Sequence, residues 1–151
     1  ESSYVMNIDE LCKEVDFLPF YIDLIIKELD INQEVVNKEN IAKEVEKLIS
    51  SPGNQGQFNH FSDRIYTYYE EDIKLKAKQI LNWLSRQDVP KSEEEIRNYL
   101  ASKNSIQIED VNLILKKLFD DLYITREIKD RIRFYEFKYR LLKRWWSINL
   151  G

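Results

Sequence analysis

Between residues 71 and 146 the hydrophobic period of this chain changes twice, and that change limits the folds open to it. Ile73, Ala77, Ile80, Leu81 and Leu84 recur at helical spacing. Ser92, with Glu95 three residues on, is a capping box that opens a short helix with Ile96 and Leu100 on its inner face. Val111, Ile114, Leu115, Leu118 and Leu122 stripe a third helix, whose first turn carries Glu109 and Asp110, favourable to the helix dipole. The period then becomes two. Tyr123–Ile128 and Ile132–Phe137 are rich in β-branched and aromatic residues and are separated by a charged turn, Lys129-Asp130-Arg131. Helical spacing returns in Phe137–Trp146, where Tyr139, Leu142 and Trp146 share a face and Trp145 points elsewhere, toward an exposed or interface position.

Helix, helix, helix, hairpin, helix is the order of a winged helix, expected over residues 71–151. Such domains bind DNA or protein. Upstream, Ile8, Leu11, Cys12 and Val15 fall on one helical face, and Pro19 starts a second helix at a position where its missing N–H costs nothing. Phe20–Leu29 is apolar nearly all round, so a partner or another part of the chain is expected to cover it. Ile41, Val45, Leu48 and Ile49 stripe a third helix. Ser50–Gln57 holds two of the three glycines and one of the three prolines, and reads as a loop or hinge. Phe58–Glu70 follows as a helix with Phe58, Phe61, Ile65 and Tyr68 or Tyr69 inward. The expected organisation is a mainly α chain: a helical subdomain over residues 1–57, a bridging helix over 58–70, and the winged helix with one small β-hairpin over 71–151.

Composition narrows the function classes. A 43 % hydrophobic content suffices for a core, and three glycines and three prolines in 151 residues favour helices over a β-sandwich. One cysteine, Cys12, cannot form an internal disulfide and suits a reducing, cytoplasmic setting. No apolar run reaches the about 18 residues a membrane span needs, so no membrane partner is expected. The chain begins at Glu1 without Met, which suggests a piece of a longer protein. Charge is uneven: residues 1–30 hold eight acidic and two basic side chains, while residues 126–151 hold eight basic and three acidic ones. The basic tail suggests an anionic partner, unless the charges simply meet solvent.

Catalytic signatures are missing from the sequence. There is no glycine-rich phosphate loop. His60, the sole histidine, reads as a surface or core residue of its helix, and the acidic runs Glu70–Asp72 and Glu93–Glu95 stand at helix starts, where the dipole accounts for them. No catalytic residue or metal ligand is expected in this stretch. For DNA, the third helix would enter the major groove, yet Glu109–Asp121 carries four acids, two lysines and no arginine. Arg126, Lys129, Arg131 and Arg133 on the wing are the candidate nucleic-acid contacts. The balance favours a wing-bearing domain that contacts protein, with backbone-gripping DNA binding as the alternative.

Three stretches resemble the C-terminal region of AAA+/STAND-type P-loop ATPases, the group often called archaeal-type. Phe17-Leu-Pro-Phe-Tyr-Ile22 is similar to the Gly-x-Pro motif of their helical lid. His60–Tyr69 resembles the passage from lid to winged helix, and Phe137–Trp146 resembles their closing basic, Trp-bearing helix. The resemblance implies that Pro19 and Phe20 stand near the base of ATP bound by the parent protein. It also implies Walker motifs upstream, and a nucleotide-binding domain of the same chain as a partner beside some other protein. Phe17 departs from the pattern: it stands where the family has Gly, which alters the turn and bears on close approach of a base.

Overall fold

A computed structural model describes residues 2–16, 18–50, 56–103 and 107–150. It is mainly helical with a small three-stranded antiparallel sheet, as the two hydrophobic periods require. The chain separates into two compact units, Glu1–Gln57 and Phe58–Gly151. The hinge expected at Ser50–Gln57 falls largely on residues 51–55, outside the described residues. No helix among the described residues is long and apolar enough to cross a membrane.

The first unit is built from α1 (Ser2–Glu14), α2 (Pro19–Ile31) and α3 (Lys38–Ser50), with α3 packed against both others. Its core is Leu11, Val15, Ile25, Leu29, Ile41, Val45, Leu48 and Ile49. The α1 and α3 faces are those the periodicity marks. On α2 only Ile25 and Leu29 are fully buried among the described side chains, while Tyr21, Ile22, Leu24 and Ile26 are half-buried.

The second unit runs α4 (Gly56–Tyr68), α5 (Glu71–Leu84), β1 (Lys91–Ser92), α6 (Glu93–Lys103), α7 (Ile108–Asp120), β2 (Ile124–Lys129), β3 (Ile132–Phe137) and α8 (Arg140–Asn149). The sheet order is β1-β3-β2. Sequence reading misses β1, because two residues carry no period of their own; it exists through pairing of Lys91 with Tyr135 and Ser92 with Phe134. The capping box forms as expected: the Ser92 N–H donates to Glu95 Oε2 at 2.8 Å and the Glu95 N–H to Ser92 Oγ at 3.1 Å. The bond from the Ser92 amide holds the Glu95 carboxyl below the usual carboxylate range.

Trp145 corrects an expectation. It is not an exposed side chain but 1 % accessible, stacked on Phe58 of α4 with ring centroids 5.5 Å apart. Its neighbour Trp146 packs edge-on to Tyr123 at 6.5 Å and against Phe137 at 6.0 Å, and its indole N–H donates to Asn82 Oδ1 at 2.7 Å. The Trp145 indole N–H has no partner among the described residues. An unmet donor costs about 1–3 kcal/mol, whereas burying an indole of roughly 200 Å2 contributes about 5 kcal/mol. Burial prevails. Helix α4 is therefore an integral layer of the second unit, covering a tryptophan on α8.

The chain closes its helices with few glycines. At the end of α7, Leu122 takes φ 69°, its N–H donates to the Phe119 carbonyl at 3.1 Å, and the Tyr123 N–H donates to the Leu118 carbonyl at 3.0 Å. This paired closure normally uses glycine at the left-handed position. It also explains why Leu122 leaves the α7 stripe and is 52 % exposed. A left-handed leucine costs roughly 1–2 kcal/mol. Replacing Leu122 with Gly is expected to raise stability by about 1 kcal/mol, measured by urea unfolding; a loss of stability would contradict this account of the turn.

Candidate functional site

The β2–β3 hairpin decides where the four basic candidate residues, Arg126, Lys129, Arg131 and Arg133, point. Its register pairs Arg126 with Tyr135, Ile128 with Arg133 and Lys129 with Ile132. The loop is two residues long, and both Asp130 (φ 52°) and Arg131 (φ 67°) are left-handed, as a type I′ turn demands even without Asn-Gly. Because alternate residues share a face, Ile124, Arg126, Arg133, Tyr135 and Phe137 lie on one side. Near the base of the hairpin that side is buried core: Ile124, Tyr135 and Phe137. Toward the tip the same side carries Arg126 and Arg133 into a cleft beside α7.

The cleft has a volume of about 590 Å3. Glu93 from the first turn of α6, Glu109, Asn112, Leu113, Lys116, Phe119 and Asp120 from α7, and Arg126, Arg133 and Tyr135 from the hairpin line it. The Arg126 guanidinium sits 4.6 Å from the centroid of the Phe119 ring. At an exposed site such a cation–π contact is worth about 0.5–1 kcal/mol and holds the arginine in place. Lys116 Nζ pairs with Asp120 Oδ2 at 2.6 Å. Tyr135 forms the floor: burial raises its phenol pKa, Glu93 raises it further, and Arg133 and Arg126 oppose the rise.

The structure thus brings Arg126 and Arg133 together and separates them from the other two candidates. Lys129 lies on the opposite hairpin face, 3.7 Å from Glu127, and Arg131 stands at the tip. The participation of Glu93, Glu109, Leu113, Phe119 and Tyr135 escapes sequence reading. Strand alternation alone, counted back from Phe137 through Tyr135, would have put Arg133 on the cleft side. In the first unit, Pro19 is the exposed first residue of α2, following Leu18 in extended conformation; the Phe20 side chain lies outside the described residues.

A smaller pocket of about 300 Å3 lies between α4 and the end of α7, lined by Arg64, Tyr68, Tyr69, Lys117, Asp121 and Tyr123. Tyr69 Oη donates to Asp121 Oδ2 at 2.8 Å, Lys117 Nζ lies 4.7 Å from the Tyr69 ring centroid, and Tyr123 Oη donates to the Phe61 carbonyl. These bonds tie α4 to α7, so the pocket reads as a structural seam. His60 is exposed on α4, with its ring 4.2 Å from Phe61.

Comparison of the chain with family models, with curated proteins and with solved structures finds no match.

The seam has a testable titration. Burial pushes the Tyr123 phenol up to about 12, against the opposing charge of Arg64; burial and the Asp121 bond raise Tyr69 also. The folded state keeps protons that the unfolded chain loses near pH 10, so their stabilisation is complete below about pH 10 and is lost as pH rises through the folded values. In an ultraviolet absorbance titration, the difference between wild type and Tyr123→Phe is expected to rise near pH 12. A difference centred near the ordinary value would contradict the burial.

Proposed function

We propose that this chain is a non-catalytic, partner-binding module of a nucleotide-switch ATPase. In this reading the first unit serves as the helical lid, with Pro19 and Phe20 toward the base of the parent's ATP. The second unit is a winged helix that docks protein. The order α5–β1–α6–α7–β2–β3, with β1 paired to β3, fits that class, in which α7 takes the role of the major-groove helix.

One observation carries the choice of protein over DNA sequence. The outward side of α7 presents Glu109, Asn112, Leu113, Lys116 and Asp120, and Lys116 is already engaged by Asp120. Phosphates would meet surplus negative charge there, and no arginine on α7 can reach guanine. Leu113 is 56 % exposed, which is of use against an apolar partner group and of none against a sugar-phosphate backbone.

A second reading is favoured by Arg131. A long cationic side chain occupies a left-handed position at the hairpin tip, where Gly or Asn would be less strained. With Lys129 on one hairpin face and Arg133 on the other, it supplies cations around the tip that could meet a phosphate backbone.

Selection from a random duplex DNA pool separates the two. The expected result is weak retention without a base motif, falling steeply with salt and abolished by Arg131→Glu with Arg133→Glu. Recovery of a defined base motif, or dependence on Lys116 and Lys117, would overturn the protein-docking reading. For the parent ATPase the decisive observation is the upstream coding sequence, expected to encode a Gly-Lys-Ser/Thr phosphate loop in the same frame. The isolated chain is expected to show no ATP turnover; turnover abolished by a substitution within it would reveal a missed catalytic site.

A further inference from the structure

The charges of the α7–hairpin cleft specify what it can take. Its lining holds three carboxylates, Glu93, Glu109 and Asp120, and three cations, Lys116, Arg126 and Arg133. Asp120 and Lys116 neutralise each other. Among the described residues the remaining four form no ion pair: Arg126 rests on Phe119 and Arg133 bonds the Tyr135 side chain. The hairpin thus contributes two guanidiniums without a carboxylate partner, and the first turns of α6 and α7 contribute two carboxylates without a cationic one. Leu113 and Phe119 belong to the same lining.

This combination discriminates among ligands. A nucleic-acid backbone, anionic throughout, gains from Arg126 and Arg133 and is repelled by Glu93 and Glu109. A uniformly basic segment meets the reverse. A volume of about 590 Å3 suits a few side chains rather than a whole folded element. Guanidinium groups also hold carboxylates through two parallel hydrogen bonds, which favours a side chain of fixed geometry.

Resting on the reading of the second unit as a protein-docking module, we propose that the cleft binds a short bipolar polypeptide segment of a partner protein. The segment sets an acidic side chain against Arg126 and Arg133, an apolar one on Leu113 and Phe119, and a basic one toward Glu93 and Glu109. Specificity then comes from matching both signs of charge in one lining, since an all-acidic or all-basic segment brings like charges together.

The test is selection of a phage-displayed library of short random peptides on the whole chain, followed by fluorescence polarisation with the enriched peptides as synthetic probes. The proposal expects enrichment of sequences that combine acidic, apolar and basic residues. The Arg126→Glu, Arg133→Glu double variant, checked for folding by circular dichroism, is expected to weaken binding about tenfold or more. A probe whose acid is changed to lysine should recover affinity for that variant and lose it for wild type. Leu113→Asp should abolish binding of both probes. Peptides lost with Leu113→Asp but indifferent to arginine reversal would leave protein docking standing and sink the bipolar ligand. If no peptide depends on the cleft while duplex DNA binds there with a base motif, both readings fall. Enrichment of uniformly acidic or uniformly basic peptides, or no enrichment at all, overturns the proposal.

Discussion

Two adjacent indoles on the last helix hold the second unit together. Trp145 is buried under Phe58 of α4, while Trp146 fills the space between Tyr123 and Phe137 and bonds Asn82 of α5. On a helix, consecutive residues point about 100° apart, so one short helix faces two layers at once. Tyr123 lies in the turn between α7 and β2, and Phe137 ends β3. The pair therefore fixes the end of the helix and the base of the strands whose upper parts flank the cleft. Tyr69 and Tyr123 reinforce the same joint with bonds to Asp121 and to the Phe61 carbonyl.

Local chemistry was legible in the sequence; chemistry assembled by the fold was not. Ala77, Ile80, Leu81 and Leu84 on α5, and Val111, Ile114, Leu115 and Leu118 on α7, are buried as their spacing requires, because helical period depends on neighbours in the chain. The Ser92–Glu95 box is legible for the same reason. Leu122 continues the α7 stripe by arithmetic, but the helix ends before it and the left-handed turn faces it outward. Trp145 looks spare on α8 alone, and its cover comes from α4, far away in the sequence. Of the wing residues, all four are exposed as a basic edge should be, yet only the register divides Arg126 and Arg133 from Lys129 and Arg131. That Glu93 and Glu109 share a lining with those arginines follows from the packing of α6 and α7 on the sheet, which no spacing encodes.

These features fit the proposed protein-docking surface better than a phosphate-binding one. Acids sit on the helix that would have to approach phosphates, and bases sit on a strand face that turns partly inward. An exposed leucine and a half-buried phenylalanine belong to the same lining. Arg131, left-handed as the two-residue turn demands, adds a cation at the tip.

The central claim is that residues 56–151 form one cooperative module, with α4 as part of its core rather than a connector. Differential scanning calorimetry on two fragments, residues 56–151 and residues 71–151, tests it most directly. The account predicts a single sharp transition for the longer fragment. Without residues 56–70, Trp145 loses its cover, Asp121 loses Tyr69 and Tyr123 loses the Phe61 carbonyl, so the shorter fragment should melt broadly or far lower. Equal melting temperatures and enthalpies for the two would contradict the account.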